Sequence, residues 1–290
     1  MSVVADRQLT LFGRIPPRHQ FLKWVGSKHR HAGKIVDCMP SDLRRYVEPF
    51  VGSGSVLATV APAEGVAGDA LRPLVDIWQL LQSDPDALLT HYRYLHERYL
   101  QSPRAVYEAV RDQYNAAPSG PDLLFLCRAC YGGIVRFTRR GAMSTPVGPH
   151  RAISPTALAE RMHVWRGRVE HTVFLHADFE ETMARAGQSD VVYCDPPYAH
   201  SQAILYGSQD FLLGRLWKAI EECKGRGARV MLSLDGMKKS GQVYTVVDAP
   251  EGLFEREMML DCGRSMLRRF QKKGEDMAGE QVYDRLLLTW

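Results

Sequence analysis

Arg45-Tyr46-Val47-Glu48-Pro49-Phe50-Val51-Gly52-Ser53-Gly54-Ser55 decides the fold. The first four residues read as a short strand that Pro49 stops; two glycines then permit a tight loop, and the apolar run over 56–60 continues as a helix. Strand, glycine loop and helix form the opening unit of an open parallel sheet, in which ligands sit beyond the carboxyl ends of the strands. A second strand over 65–69 ends on Asp69 and leads into helical spacing over 71–81. Two such units begin a doubly wound α/β sheet.

Outward from there, strand patterning returns at 172–175, 190–194, 229–232, 254–260 and 283–289, with helices around 179–186 and 211–223. Between these lies a different stretch. Residues 85–126 carry helical spacing (Tyr92, Leu95, Tyr99, then Val106, Val110, Tyr114) broken by Ser102-Pro103 and a turn at 118–121. Residues 128–168 lose period and gain charge: eight arginines, no lysine, and Glu160 as the one acid. The architecture expected is one sheet domain from residues 1–83 and 169–290, into which a helical, basic subdomain of residues 84–168 is inserted.

Composition excludes several classes. With 290 residues, 45% of them hydrophobic, and 37 basic against 33 acidic side chains, the chain can build a large core and is not disordered. Its longest charge-free stretch, 49–63, falls short of the ~18 apolar residues of a membrane span. Asp6 and Arg7 precede any apolar run, so no leader and a cytoplasmic location are expected. Six cysteines in such a chain are expected as thiols. Cys127 and Cys130 make a C-x-x-C without the second pair a zinc site wants, and no histidines show metal spacing; no metal is expected.

Asp195-Pro196-Pro197-Tyr198 follows the apolar strand directly. Two prolines remove two backbone donors and leave stiff carbonyls beside a carboxylate. Such a set of acceptors suits an amino group on an aromatic ring: held by its two hydrogens, the nitrogen turns its lone pair toward an electrophile, while Tyr198 stacks the ring. An ordinary Pro-Pro turn with a tyrosine lid is the alternative. At the first loop, Gly52 and Gly54 allow close approach of a ligand, and the missing third glycine counts against a dinucleotide. Asp69 is placed to accept from ribose hydroxyls, or to cap the helix starting near Leu71. Cys194, ahead of Asp195 on an apolar strand, is expected to be buried.

Together these residues resemble the Dam-type DNA adenine-N6 methyltransferases of the D12 class, which use S-adenosylmethionine. The likeness is carried by Lys23-Trp24-Val25-Gly26-Ser27-Lys28, similar to K-W-x-G-x-K, by Glu48 to Ser55, by Ala177-Asp178-Phe179 and by Asp195-Pro196-Pro197-Tyr198, in the family's order. The resemblance implies a Rossmann-like methyltransferase sheet with an inserted target-recognition subdomain. It implies cofactor contacts from Trp24, Lys28, Phe50, Gly52, Gly54, Ser55, Asp69, Asp178, Phe179 and Asp195, and catalysis by Asp195, Pro196, Pro197 and Tyr198. Tyr131-Gly132-Gly133-Ile134-Val135-Arg136-Phe137-Thr138 is similar to Y-N-G-x-x-R-Y-N, which implies DNA contacts by Tyr131 as a wedge, by Arg136 to guanine, and by Arg139 and Arg140.

Gly132 and Thr138 stand where the family has asparagines, so recognition of GATC does not carry over. Double-stranded DNA is the implied partner, with a cognate restriction enzyme as a further one; the single recognition segment implies a monomer. The arginines of 128–168 suit phosphates and bases, a solvated face being the alternative. Arg264, Arg268, Arg269, Lys272 and Lys273 form a second basic cluster. Other acceptors (RNA adenine, cytosine N4, a glutamine amide), an inactive DNA-binding regulator and a nicotinamide dehydrogenase are the alternative functions.

Overall fold

The computed structural model describes residues 14–197, 213–238, 248–264 and 281–290, with backbone alone for 235–238, 262–264 and 281–283. Among them seven strands form one sheet: β1 (Tyr46–Glu48), β2 (Gly65–Asp69), β3 (Thr172–His176), β4 (Val191–Cys194), β5 (Arg229–Lys238), β6 (Arg256–Arg264) and β7 (Gln281–Leu288). Their order is β3-β2-β1-β4-β5-β7-β6, with β7 antiparallel to both of its neighbours and the other pairings parallel. This is a doubly wound, Rossmann-like arrangement, with β7 set antiparallel between β5 and β6.

Strands covered on both faces carry uninterrupted apolar runs. Strand alternation then divides the side chains. Tyr46, Val191, Tyr193 and Met231 enter the core of one face, and Val47, Val192, Cys194, Val230 and Leu232 that of the other. On the first side α2 (Ser55–Val60) and α3 (Arg72–Ser83) lie against the strands, and α1 (Ala32–Asp37), α4 (Pro85–Gln101), α5 (Pro103–Ala116), α6 (Gly120–Ala129) and α7 (Pro155–Val169) extend the same core by packing on those helices and on one another; α8 (Phe179–Met183) and α9 (Leu213–Gly225) lie on the second. Caps set several starts: Asp84 accepts from Ala87 N, Ser119 from Asp122 N and Ser154 from Ala157 N, with a proline in each first turn.

Two expectations need correction. Residues 155–169 form a helix although the stretch around them lacks an obvious period; Leu158, Met162, Trp165 and Val169 supply the buried face at helical spacing. Nor do all eight arginines face outward. Arg128 donates to the carbonyls of Gln20 and Phe21, Arg161 to that of Gln20 (2.8 Å), and Arg168 to those of Ile15 and Ala58; Trp165 Nε1 adds a bond to His19 O (2.8 Å). Residues 15–21 form neither helix nor strand, so their carbonyls need side-chain donors, and a guanidinium offers five N–H groups. These three arginines therefore strap the N-terminal segment to α6 and α7.

Candidate cofactor and target site

Parallel strands β1, β2 and β4 end on the same edge, where Glu48, Asp69 and Asp195 emerge. Strand β1 lies between β2 and β4, so the connections leave it in opposite directions and a crevice opens at its carboxyl end. A cavity of about 380 Å³ occupies this crevice.

Trp24, Lys28, Phe50, Gly52, Ser55 and Asp69 line it from the N-terminal side; Asp178, Phe179, Asp195 and Pro197 complete the wall. Gly54 and Pro196 are not part of the lining. Gly54 instead forms the left-handed N-cap of α2, with φ +61°, and Pro196 is buried. Tyr198, with most of the second basic cluster, lies outside the described residues. Tyr131, Arg136, Arg139 and Arg140 are exposed on the segment after α6 and do not line the cavity, whereas Phe137 of that segment does. An isolated bridge from Phe137 to Met143 folds the segment back on itself.

The charges are arranged in depth. Lys28 Nζ lies 2.9 Å from Asp195 Oδ1 and 3.6 Å from Asp284 Oδ2 on β7. Glu48 is buried and accepts a hydrogen bond from Tyr46 Oη at 2.7 Å, both side chains being on one face of β1. Burial pushes the Glu48 carboxyl up to about 8, and the Asp195 carboxylate adds to the rise. Asp69 accepts from Gly52 N (3.1 Å) and Leu71 N (3.0 Å), so it ties the glycine loop to the start of α3; burial raises it to about 6 against the pull of those donors.

At the other end Asp178 caps α8 through Glu180 N (3.0 Å). Arg215 donates to Asp178 Oδ1 (3.0 Å) and forks onto Glu180 (3.0 and 2.7 Å), with its guanidinium 5.1 Å from the Phe179 ring centre. Phe179 stacks on Phe50 at 5.3 Å. Ser27, Ser53 and Ser55 join hydroxyls at 2.9 to 3.1 Å and link the N-terminal segment to the glycine loop.

Glu48, Phe137, Arg215 and Asp284 were not legible as site residues. Glu48 and Phe137 sit inside quoted motifs, the first as a strand residue and the second in the recognition segment without a role of its own; Arg215 and Asp284 arrive from distant parts of the chain, and no local pattern marks them. Acceptors gather on the Asp195 side, and an aromatic wall with two carboxylates stands on the other. Cys194 is fully enclosed in the opposite core, and burial raises its thiol well above the usual value. Among the described residues no group of three or more His, Cys, Asp or Glu side chains is arranged to hold a metal, and no helix is long and apolar enough to cross a membrane.

A family model described as D12 class N6 adenine-specific DNA methyltransferase matches residues 24–251. The chain is 27% identical over 248 residues to the DNA N-6-adenine-methyltransferase of Escherichia phage P1, covering 80% of this chain and 32% of that protein. It is 30% identical over 188 residues to the DNA adenine methylase of Vibrio cholerae serotype O1, covering 62% of this chain and 65% of that protein. The chain thus spans about a third of the length of the first relative and just under two thirds of the second. A Type II methyltransferase of Methanocaldococcus jannaschii is 27% identical over 241 residues, 73% of this chain and 83% of that one.

Proposed function

We propose, for a chain that belongs to the D12 class of N6 adenine-specific DNA methyltransferases, that it methylates the exocyclic nitrogen of an adenine swung out of duplex DNA, with S-adenosylmethionine as donor. When bound, S-adenosylmethionine supplies a methyl carbon made electrophilic by the sulfonium beside it. The residues present fit that group. A cavity of about 380 Å³ is within the range of small-ligand pockets. Phe50 and Phe179 offer an aromatic wall for a purine, Asp178 an acceptor for its amino group, Asp69 acceptors for ribose hydroxyls, and Gly52 a backbone without a side chain in the way.

In this reading Asp195 and the Pro196 carbonyl accept the two hydrogens of the target amino group and aim its lone pair into the cavity. Tyr198 stacks the extruded base. Residues 84–168 serve as the target-recognition subdomain, with exposed Arg136, Arg139 and Arg140 toward the duplex and Tyr131, 45% exposed, as the wedge that fills the vacated stack. The protein acts as a monomer on each strand in turn.

The observation that carries the proposal is a single cavity that joins the glycine loop, Asp69 and Asp178 to Asp195 and Pro197, and that receives Phe137 from the arginine-bearing segment. Purified protein incubated with radiolabelled S-adenosylmethionine and unmethylated DNA, followed by digestion to nucleosides, tests it. Label in N6-methyladenine, abolished by Asp195→Ala, is the expected result. Label in N4-methylcytosine overturns the acceptor, and undiminished transfer by Asp195→Ala overturns the mechanism.

A further inference from the structure

Lys28 is a buried cation that serves two carboxylates. Its side chain is 9% exposed, with Asp195 at 2.9 Å and Asp284 at 3.6 Å. The three come from distant parts of the chain: Lys28 from the N-terminal segment, Asp195 from the loop after β4, and Asp284 from the antiparallel strand β7. The group thus sets two acidic side chains against one basic one. Glu48, the other carboxyl beside Asp195, is held up to about 8 and adds no full charge at neutral pH.

The reaction proposed above gives that surplus a use. The amino nitrogen forms a bond to the methyl carbon as the carbon–sulfur bond breaks, the electron pair of the broken bond staying on sulfur. Positive charge thereby moves from sulfur to nitrogen, and then leaves as a proton, first to the Asp195 carboxylate. A lysine paired with Asp195 alone would cancel the field toward which this charge moves. A lysine shared with a second carboxylate cancels less of it, and a charge fixed before reaction costs no reorganisation during it.

We propose that Asp284 is a positioning residue for catalysis: by sharing Lys28 with Asp195, it offsets part of the lysine's charge and keeps the site negative where the transferred methyl brings positive charge. The same surplus favours a sulfonium over a neutral thioether. Asp284 therefore also sets how strongly S-adenosylmethionine is bound relative to its product, S-adenosylhomocysteine, and so assists product exchange. This inference rests on the methyltransferase reading.

The test compares wild type, Asp284→Asn, which keeps shape and removes charge, and Asp284→Glu, which restores it. Calorimetry gives the dissociation constants of S-adenosylmethionine and S-adenosylhomocysteine; single-turnover labelling gives the transfer rate, and DNA titration the KM. Asp284→Asn is expected to slow transfer about tenfold or more and to lower the ratio of sulfonium to thioether affinity several-fold, with KM for DNA unchanged and partial recovery in Asp284→Glu. An unchanged ratio and rate overturn the proposal. So does an equal loss of both affinities with a lowered Tm, which marks a purely structural aspartate. Lys28→Gln gives a second route, since its effect and that of Asp284→Asn are expected to be non-additive; additive losses overturn the proposal. A wild-type protein that binds neither nucleoside and labels no DNA removes the methyltransferase reading itself, and this inference with it.

Discussion

Gly54 packs directly against the indole of Trp78: a Cβ placed on Gly54 would stand 2.8 Å from Trp78 Cζ2, and the glycine has φ +61°. Trp78 Nε1 also donates to Gly52 O at 3.3 Å, so one buried ring on α3 supports the whole loop from below. Gly54→Ala therefore meets two penalties, left-handed backbone and overlap with a ring that has no room to move, together about 1 to 3 kcal/mol. Urea unfolding measures the loss. Because Gly52 and Ser55 line the cavity and Gly54 does not, cofactor affinity is expected to fall through displacement of the loop; unchanged stability with unchanged affinity would contradict the tight fit.

Where an element is set by its own short stretch of chain, the sequence states its place directly. Strand β2 runs over 65–69 as expected, because an apolar run bounded by Glu64 and Asp69 leaves little choice of limits. The loop of Asp195 follows a strand enclosed on both faces, so its place at a carboxyl end follows from the parallel order. What was not legible depends on direction and distance. A count of arginines cannot tell that Arg128, Arg161 and Arg168 turn inward to carbonyls more than 100 positions away. Asp284 is an acidic residue on a strand until the fold sets it beside Lys28, and Phe137 becomes a lining residue because its segment folds back.

Glu48 predicts a pH dependence of stability. Its folded carboxyl titrates at about 8 against an ordinary value of 4.5, so between these limits the folded protein binds more protons than the unfolded chain. Stability then falls as pH rises through that window, by an amount on the order of a few kcal/mol. Asp69, raised to about 6 from 3.8, acts in the same direction over the lower part. Glu48→Gln keeps an acceptor for Tyr46 and cannot ionise. Urea midpoints at pH 5.5 and 8.5 should differ less in this variant than in the wild type, and the variant should be the more stable at pH 8.5.

Arginines of one segment should separate by function. Arg168 is buried and bridges Ile15 O and Ala58 O, so Arg168→Met leaves two carbonyls without a donor and is expected to cost about 1 to 3 kcal/mol of stability. DNA affinity per folded molecule should hardly change. Exposed Arg136 gives the opposite pattern: Arg136→Ala leaves the melting temperature near wild type and loses about 1 to 3 kcal/mol of discrimination at one base position. Thermal melting and competition binding across substituted duplexes check both, and a loss in Arg136→Ala that is equal for all duplexes would reassign it to phosphate contact.

Arg215 provides the last separation, between cofactor and DNA. Its guanidinium holds Asp178 and Glu180 at 2.7 to 3.0 Å and covers Phe179, which in turn stacks on Phe50. One side chain thus orients both the carboxylate and the ring that the proposed adenine pocket needs. Removing it should loosen them without unfolding the protein, because ion pairs at exposed sites are worth under about 1 kcal/mol. Arg215→Ala is expected to weaken S-adenosylmethionine binding about five- to tenfold with KM for DNA unchanged. Arg215→Lys restores the charge and not the planar fork, so it should recover only part of the loss. Calorimetry decides: full recovery in Arg215→Lys would mean that charge alone matters, and undiminished affinity in Arg215→Ala would place the cofactor adenine away from Phe179 and Asp178.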